Sequence, residues 1–527
     1  MKHRQRLLAT LQALVVVTCL AGCAKRPEET PAPAPSTAAP HIDWYQGDVD
    51  AALAAAAQHN KPVLLYWGAE WCPPCQQLKA TVFKRADFVA KTRLFIAVNL
   101  DGDEPGAQKW GERFRVTGYP TMLVLSPQRV ETMRIAGGMD MVQYANILDL
   151  SLADLQPVEQ ILSAAQTRPL SSGECQRLAL NAWVLDDTTA EQDARLATQL
   201  QHAAGQCPTA STADHERLTM VAAFYASNRE AESLAAGKPP SATLSTHVAA
   251  VSELLSAGQL SGANADVLTY LGEPFFRAVK ARGAAPALKF NQQYAAAMEA
   301  AANNPQFAVA DQLSAVGNRL DAEKILMGSI GPPLQRYARE RLDAALARPE
   351  TPYVRSGLIN AALPIFELLD AIPEAYQLLQ SELPKTQTPY YYQADLAALA
   401  ETLGRKDEAV AWAQRAYDGS RGAATRFQWG NIYLGSLLRL QPRDTTRIQA
   451  TGLAVLGELD GADRIYQRAR TRLVALDGAL LKWQNADKTA RRPVLLALRT
   501  RMNQTCATIP ASEPARQSCD KFLKTGL

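Results

Sequence analysis

Two cysteines, Cys72 and Cys75, stand with two residues between them in Trp71-Cys72-Pro73-Pro74-Cys75, shortly after the apolar run Pro62-Val63-Leu64-Leu65-Tyr66-Trp67. A Cys-x-x-Cys pair between a strand and a helix is built for thiol–disulfide exchange. The first cysteine sits at a helix N-terminus, where unpaired N–H groups and the helix dipole favour its thiolate. The second follows one turn later and is placed to resolve the mixed disulfide formed on the first. Cys72 is therefore the expected nucleophile and Cys75 the resolving thiol. As N-cap, Cys72 is expected to accept the amide of Cys75, and Pro73 suits the first helical position. Pro74 removes a further amide and no histidine lies between the cysteines. Strongly oxidising pairs rely on a stabilised reduced form, so these features point to a reductant or isomerase.

The elements around the pair alternate. Strands are expected at Ile42 to Tyr45, Pro62 to Trp67, Leu94 to Leu100, Thr121 to Leu125 and Val130 to Ile135, the last ending at Gly137-Gly138. Helices are expected at Asp48 to His59, Cys72 to Phe83, Asp87 to Lys91, Gly106 to Phe114 and Met139 to Leu150. This order resembles the thioredoxin fold. Ala69-Glu70-Trp71-Cys72-Pro73-Pro74-Cys75 is similar to that family's redox segment, and Gly118-Tyr119-Pro120-Thr121 to its cis-proline segment. The resemblance implies that Tyr119-Pro120 is a cis peptide facing Cys72, and that Trp71, Tyr119 and Pro120 form the substrate-binding rim. Lys61-Pro62-Val63-Leu64-Leu65 and Asp101-Gly102-Asp103 look most like the subgroup near the C-terminal domain of bacterial transmembrane disulfide reductases. One departure is clear. Where the family places a buried Asp six residues before the first cysteine, this chain has Tyr66, and the partner lysine is missing from Leu94 to Leu100. The base that serves Cys75 must come from elsewhere; Glu70 is near only in sequence and reads better as an exposed carboxylate.

The N-terminus carries a basic start (Lys2, Arg4, Arg6), an apolar stretch from Leu7 to Leu20, and Leu20-Ala21-Gly22-Cys23. It resembles a bacterial lipoprotein signal, with residues 1–22 removed and Cys23 lipidated; an ordinary secretory signal is the plainer alternative. Ala24 follows Cys23, and the missing Asp there leans towards the outer membrane. The expected location is the periplasm, lipid-anchored. Residues 23–40, rich in Pro and Ala, read as an extended tether. The formal charge of +3 is matched by Lys2, Arg4 and Arg6, so the mature chain is near neutral and asks for no nucleic acid.

Four of the eight cysteines remain after Cys19, Cys23 and the redox pair. In an exported protein an even remainder points to structural disulfides. Cys175–Cys207 and Cys506–Cys519 are the expected pairs. A zinc site competes, but no second Cys-x-x-Cys or closely spaced histidines support it, so no metal or cofactor is assigned. After a thioredoxin-like domain at 41–154, residues 155–527 read as an Ala/Leu-rich helical region. Leu369 to Ala375 and Leu403 to Ala409 align at offset 34, resembling the tetratricopeptide helix pair; a generic helical array fits as well. Pro389-Tyr390-Tyr391-Tyr392 reads as the aromatic start of a packed helix. The fold class is thus an α/β thioredoxin fold followed by a large all-α region. The expected activity is thiol–disulfide exchange, as reductase or isomerase, on disulfide-containing envelope proteins. A membrane disulfide reductase is the expected electron donor. A helical scaffold or chaperone with an accessory redox domain is the alternative.

Overall fold

A mixed sheet of four strands holds the N-terminal part together, in the order β2-β1-β3-β4. The structure is a computed structural model that describes residues 41–135, 141–183, 190–256, 264–461 and 464–524. The signal (1–22), Cys23, the tether (23–40) and Gly137-Gly138 lie outside the described residues. Helix α1 (Val49–His59) opens on Asp48, whose side chain accepts the amide of Ala51. Strand β1 (Val63–Gly68) is buried along its whole length, and α2 (Pro73–Ala80) follows the redox loop. Then come α3 (Ala86–Thr92), β2 (Ile96–Asp101), α4 (Pro105–Arg113), β3 (Thr121–Leu125), β4 (Glu131–Ile135) and α5 (Met141–Ala153).

Register explains why distant segments meet. β1 pairs parallel with β2, Gly68 opposite Asp101, and antiparallel with β3, Trp67 opposite Thr121. The redox loop leaving β1, the Asp101-Gly102-Asp103 turn leaving β2 and the Tyr119-Pro120 entry to β3 therefore emerge at one end of the sheet. The expected strand at Ile42 to Tyr45 does not form. Its chain curls, with the Trp44 amide bonded to the Ile42 carbonyl, and a single bond from Tyr45 N to Ala97 O replaces a ladder. Helix α2 also stops at Ala80, short of Phe83, where a short turn of 3₁₀ helix at Val82–Lys84 takes over.

From Val158 on, every regular element among the described residues is helical, and none of those helices is long and apolar enough to cross a membrane. The two offset-34 segments share one turn. Helices end at Leu368 and Thr402, Asp370 and Gly404 take left-handed backbone angles, and the next helices begin at Ile372 and Lys406. The helical part also caps the sheet. Asn181 accepts the Arg134 amide and Ala182 N–H bonds to Arg134 O, closing the exposed edge of β4. Cys175 is joined to Cys207 and Cys506 to Cys519, with Cα separations of 5.8 and 5.6 Å.

Candidate active site

Cys72 is the N-cap of α2, in extended backbone, and its Sγ accepts the Cys75 amide at 3.2 Å. Pro73 and Pro74 fill the first two helical positions, so neither of those absent amides is left unsatisfied. Cys72 and Cys75 are joined as a disulfide with Cα atoms 5.2 Å apart. The Gln76 side chain bonds back to the Glu70 carbonyl and fixes the loop before the pair. Tyr119-Pro120 is a cis peptide. The Tyr119 ring lies 6.2 Å from that of Trp71 and its hydroxyl donates to the Gly102 carbonyl. A Cβ on Gly102 would come within 2.2 Å of the hydroxyl end of the Tyr119 ring, so glycine lets the two segments close this tightly.

Residues 43–127 match the family model described as thioredoxin-like. This part of the chain is a thioredoxin-like domain. Over 96 residues it is 32% identical to thiol:disulfide interchange protein DsbD 1 of Pseudomonas aeruginosa, covering 18% of this chain and 16% of that protein. A thioredoxin of Acidithiobacillus ferridurans is 28% identical over 93 residues, 82% of its length, and a thioredoxin of Pseudomonas aeruginosa 29% over 92 residues, 80% of its length. The chain thus spans 16% of each of the two DsbD relatives it matches. A thioredoxin-like domain with this cysteine pair fits a thiol–disulfide oxidoreductase.

What sets the site apart is its cover. Cys72 is 3% exposed, Cys75 0% and Trp71 9%. The helical region lies on them. Tyr391 of helix Pro389–Thr402 stacks on Trp71 at 6.4 Å, and Trp429 of helix Ala423–Leu440 meets it edge-on at 6.2 Å. Trp71 Nε1 donates to Asp103 Oδ2 at 3.1 Å, and the Thr425 hydroxyl donates to Asp103 Oδ1. Arg468 lies 4.2 Å over the Tyr119 ring. Arg470 pairs with Glu112 at 2.8 Å. Helix α2 rests on helix Pro352–Leu368 at Gly357, where a Cβ would come within 2.8 Å of Gln77 Oε1.

Charge in this interface is costly. Burial, with Asp101 nearby, pushes Asp103 up to about 6, against the pull of Thr425, Trp71 and Arg468. Tyr66, in the place of the family's buried Asp, is packed between Trp44 and Phe83, and among the described residues its hydroxyl has no hydrogen-bond partner. Burial raises its pKa far above the ordinary phenol range, so it stays protonated and serves as no base. Glu70 is exposed.

Trp71 and Tyr119, expected on the substrate rim, here meet the helical region. The sequence marks Asp103 only as part of a resembling turn, and nothing local in it marks Thr425, Trp429 or Arg468. The aromatic run at 390–392 does begin a packed helix, and what it packs on is the redox loop.

Proposed function

We propose that the protein is a thiol–disulfide oxidoreductase that reduces or isomerises disulfides of other envelope proteins from a lipid anchor on Cys23 in the periplasm, at the outer membrane. The observation that carries the reading is the Cys72 sulfur at the N-terminus of α2, bonded to the Cys75 amide beside the cis-proline segment. In the reducing direction the Cys72 thiolate attacks one sulfur of a substrate disulfide, and the other leaves as a thiolate that takes up a proton. The Cys75 thiolate then attacks the Cys72 sulfur. A substrate dithiol leaves and the Cys72–Cys75 disulfide remains, two electrons having passed to the substrate. A membrane disulfide reductase would restore the dithiol, in keeping with relatives named thiol:disulfide interchange proteins. Trp71, Tyr119 and Pro120 meet the substrate once the helical cover has moved aside, because the attacking sulfur needs an open line to its target.

The enclosure of both sulfurs favours a second reading, in which the helical region scaffolds or chaperones envelope proteins and the redox pair switches its posture. One comparison separates the two. The wild-type protein should reduce insulin catalytically with a thiol reductant and lose this on Cys72→Ser. Equal insulin reduction by both proteins rejects the enzyme. Membrane fractionation of Cys23→Ala tests the anchor: release from membranes, or an uncut precursor, is expected, and unchanged sedimentation rejects it.

A further inference from the structure

A cavity of about 290 Å³ lies between the redox helix and the helical region. Pro74, Gln77 and Pro120 line it from the thioredoxin-like side, and Asp311, Ser314 and Asn360 from the helical side. It is at the small end of ligand pockets, which run about 300–1,000 Å³, and has room for a side chain rather than a whole cofactor. Its place is informative. Pro74 lies between the two redox cysteines, and Pro120 is the cis-proline, so a residue seated here is within a few residues' reach of the sulfurs.

The cavity holds one carboxyl group without a counter-charge. Asp311 accepts hydrogen bonds from Gln77 Nε2 at 2.9 Å and from the backbone of Ala308 and, among the described residues, forms no ion pair. The charged group that bears on it is Asp266, of like sign, which is itself held by the two terminal guanidinium nitrogens of Arg217 at 2.8 and 2.9 Å. Burial pushes Asp311 up to about 6. A half-buried carboxylate in a cavity of this size is relieved most by a cation that brings its own hydrogen bonds. Ser314 and Asn360 supply neutral polar walls on the same side.

We propose that this cavity is a specificity subsite for a lysine or arginine side chain flanking the substrate disulfide, with Asp311 as its anchor. The inference rests on the oxidoreductase reading above and adds to it a substrate class, protein disulfides with a basic neighbour. Asp311, Ser314 and Asn360 stay together on the helical region when the cover moves aside, so that region selects substrate as well as covering the pair.

The test uses three synthetic peptides, each with one internal disulfide, identical but for Lys, norleucine or Glu two residues before the first cysteine. The full, pre-reduced protein is mixed with each in single turnover, and each rate is divided by that same protein's rate on hydroxyethyl disulfide. The Lys peptide should react about tenfold or more faster than the norleucine peptide, as a hydrogen bond to a charged group implies, and the Glu peptide slowest. Asp311→Asn should bring the Lys and norleucine rates within about twofold of each other. Ser314→Phe should slow the Lys peptide by filling the cavity without changing charge; the Ser314 hydroxyl it removes bonds, among the described residues, to its own helix at Ala310. Equal normalised rates for Lys and norleucine in the wild type, or a preference that survives both substitutions, overturns the subsite. Failure of the wild type to reduce any disulfide, hydroxyethyl disulfide included, overturns the oxidoreductase reading instead.

Discussion

Replacing Thr425 with valine should loosen the cover over the redox pair and expose Cys72. Thr425 is buried in helix Ala423–Leu440, and its hydroxyl donates to Asp103 Oδ1 across the interface. Valine keeps the shape and removes the donor. A hydrogen bond to a charged group contributes about 1.5–3 kcal/mol. With the two faces apart, water satisfies both Asp103 and Thr425, so the whole loss falls on the closed form. At RT of about 0.59 kcal/mol this raises the open population roughly 10- to 150-fold. The assay is timed alkylation of the reduced protein with iodoacetamide, reading Cys72 by peptide mass. While closing outpaces alkylation, the rate follows the open population. Thr505→Val is the control. Thr505 makes a similar bond to Asp460 at 2.9 Å, away from the redox loop, and should leave the Cys72 rate alone. An unchanged rate in a folded Thr425→Val protein refutes the reasoning. So does wild-type Cys72 that reacts as fast as a small free dithiol.

A cross-link should do the opposite. In Gln77→Cys/Gly357→Cys the two Cβ atoms would lie about 3.5 Å apart, within disulfide range; joining them with a non-reducible bis-alkylating reagent, while Cys72–Cys75 is oxidised, should abolish insulin reduction, and full activity of the cross-linked protein would show that opening is unnecessary. Asp103 gives the cover a pH dependence. Its pKa is raised to about 6 in the closed form, so closure is firmest below about pH 4 and weakens as pH rises through 6, by about 3 kcal/mol in all for a shift of roughly two units. Asp101, Arg468 and Thr425 face the same carboxyl. Hydrogen exchange at the redox-loop amides, corrected for intrinsic rates, should quicken across that range in the wild type and stay flat in Asp103→Asn; a flat wild-type profile contradicts this. Cys175→Ala/Cys207→Ala should lower stability by about 2–4 kcal/mol in denaturant titration, leaving the reactivity of the redox pair unchanged.

The readable parts of this chain were those whose chemistry is local. Trp71 to Cys75 carries its own strand exit, N-cap and prolines, and Tyr119-Pro120 precedes a clean apolar strand, so the domain and its pair could be placed from sequence. The Ile42 to Tyr45 segment has strand-like residues but finds only one ladder bond, because the chain turns back on itself at Trp44. The cover was invisible for a different reason. Asp103 and Thr425 are 322 positions apart and Gln77 and Asp311 are 234 apart, and nothing local marks Thr425 or Asp311 among many polar helix residues. Tyr391 did show as part of an aromatic run. That run reads as the aromatic start of a packed helix, and only the fold tells that it packs on Trp71. The buried Asp missing at position 66 was legible as an absence, and the structure fills it with a neutral phenol rather than a replacement base.

The claim that Cys72 carries thiol–disulfide exchange is tested most directly by the Cys75→Ser protein. Reduced at Cys72, with Cys175–Cys207 and Cys506–Cys519 intact, it is mixed with a disulfide peptide and its intact mass and peptide map are read. One peptide per protein, disulfide-linked to Cys72 and released by reductant, is the predicted result. No adduct, or an adduct on any other cysteine, contradicts the account.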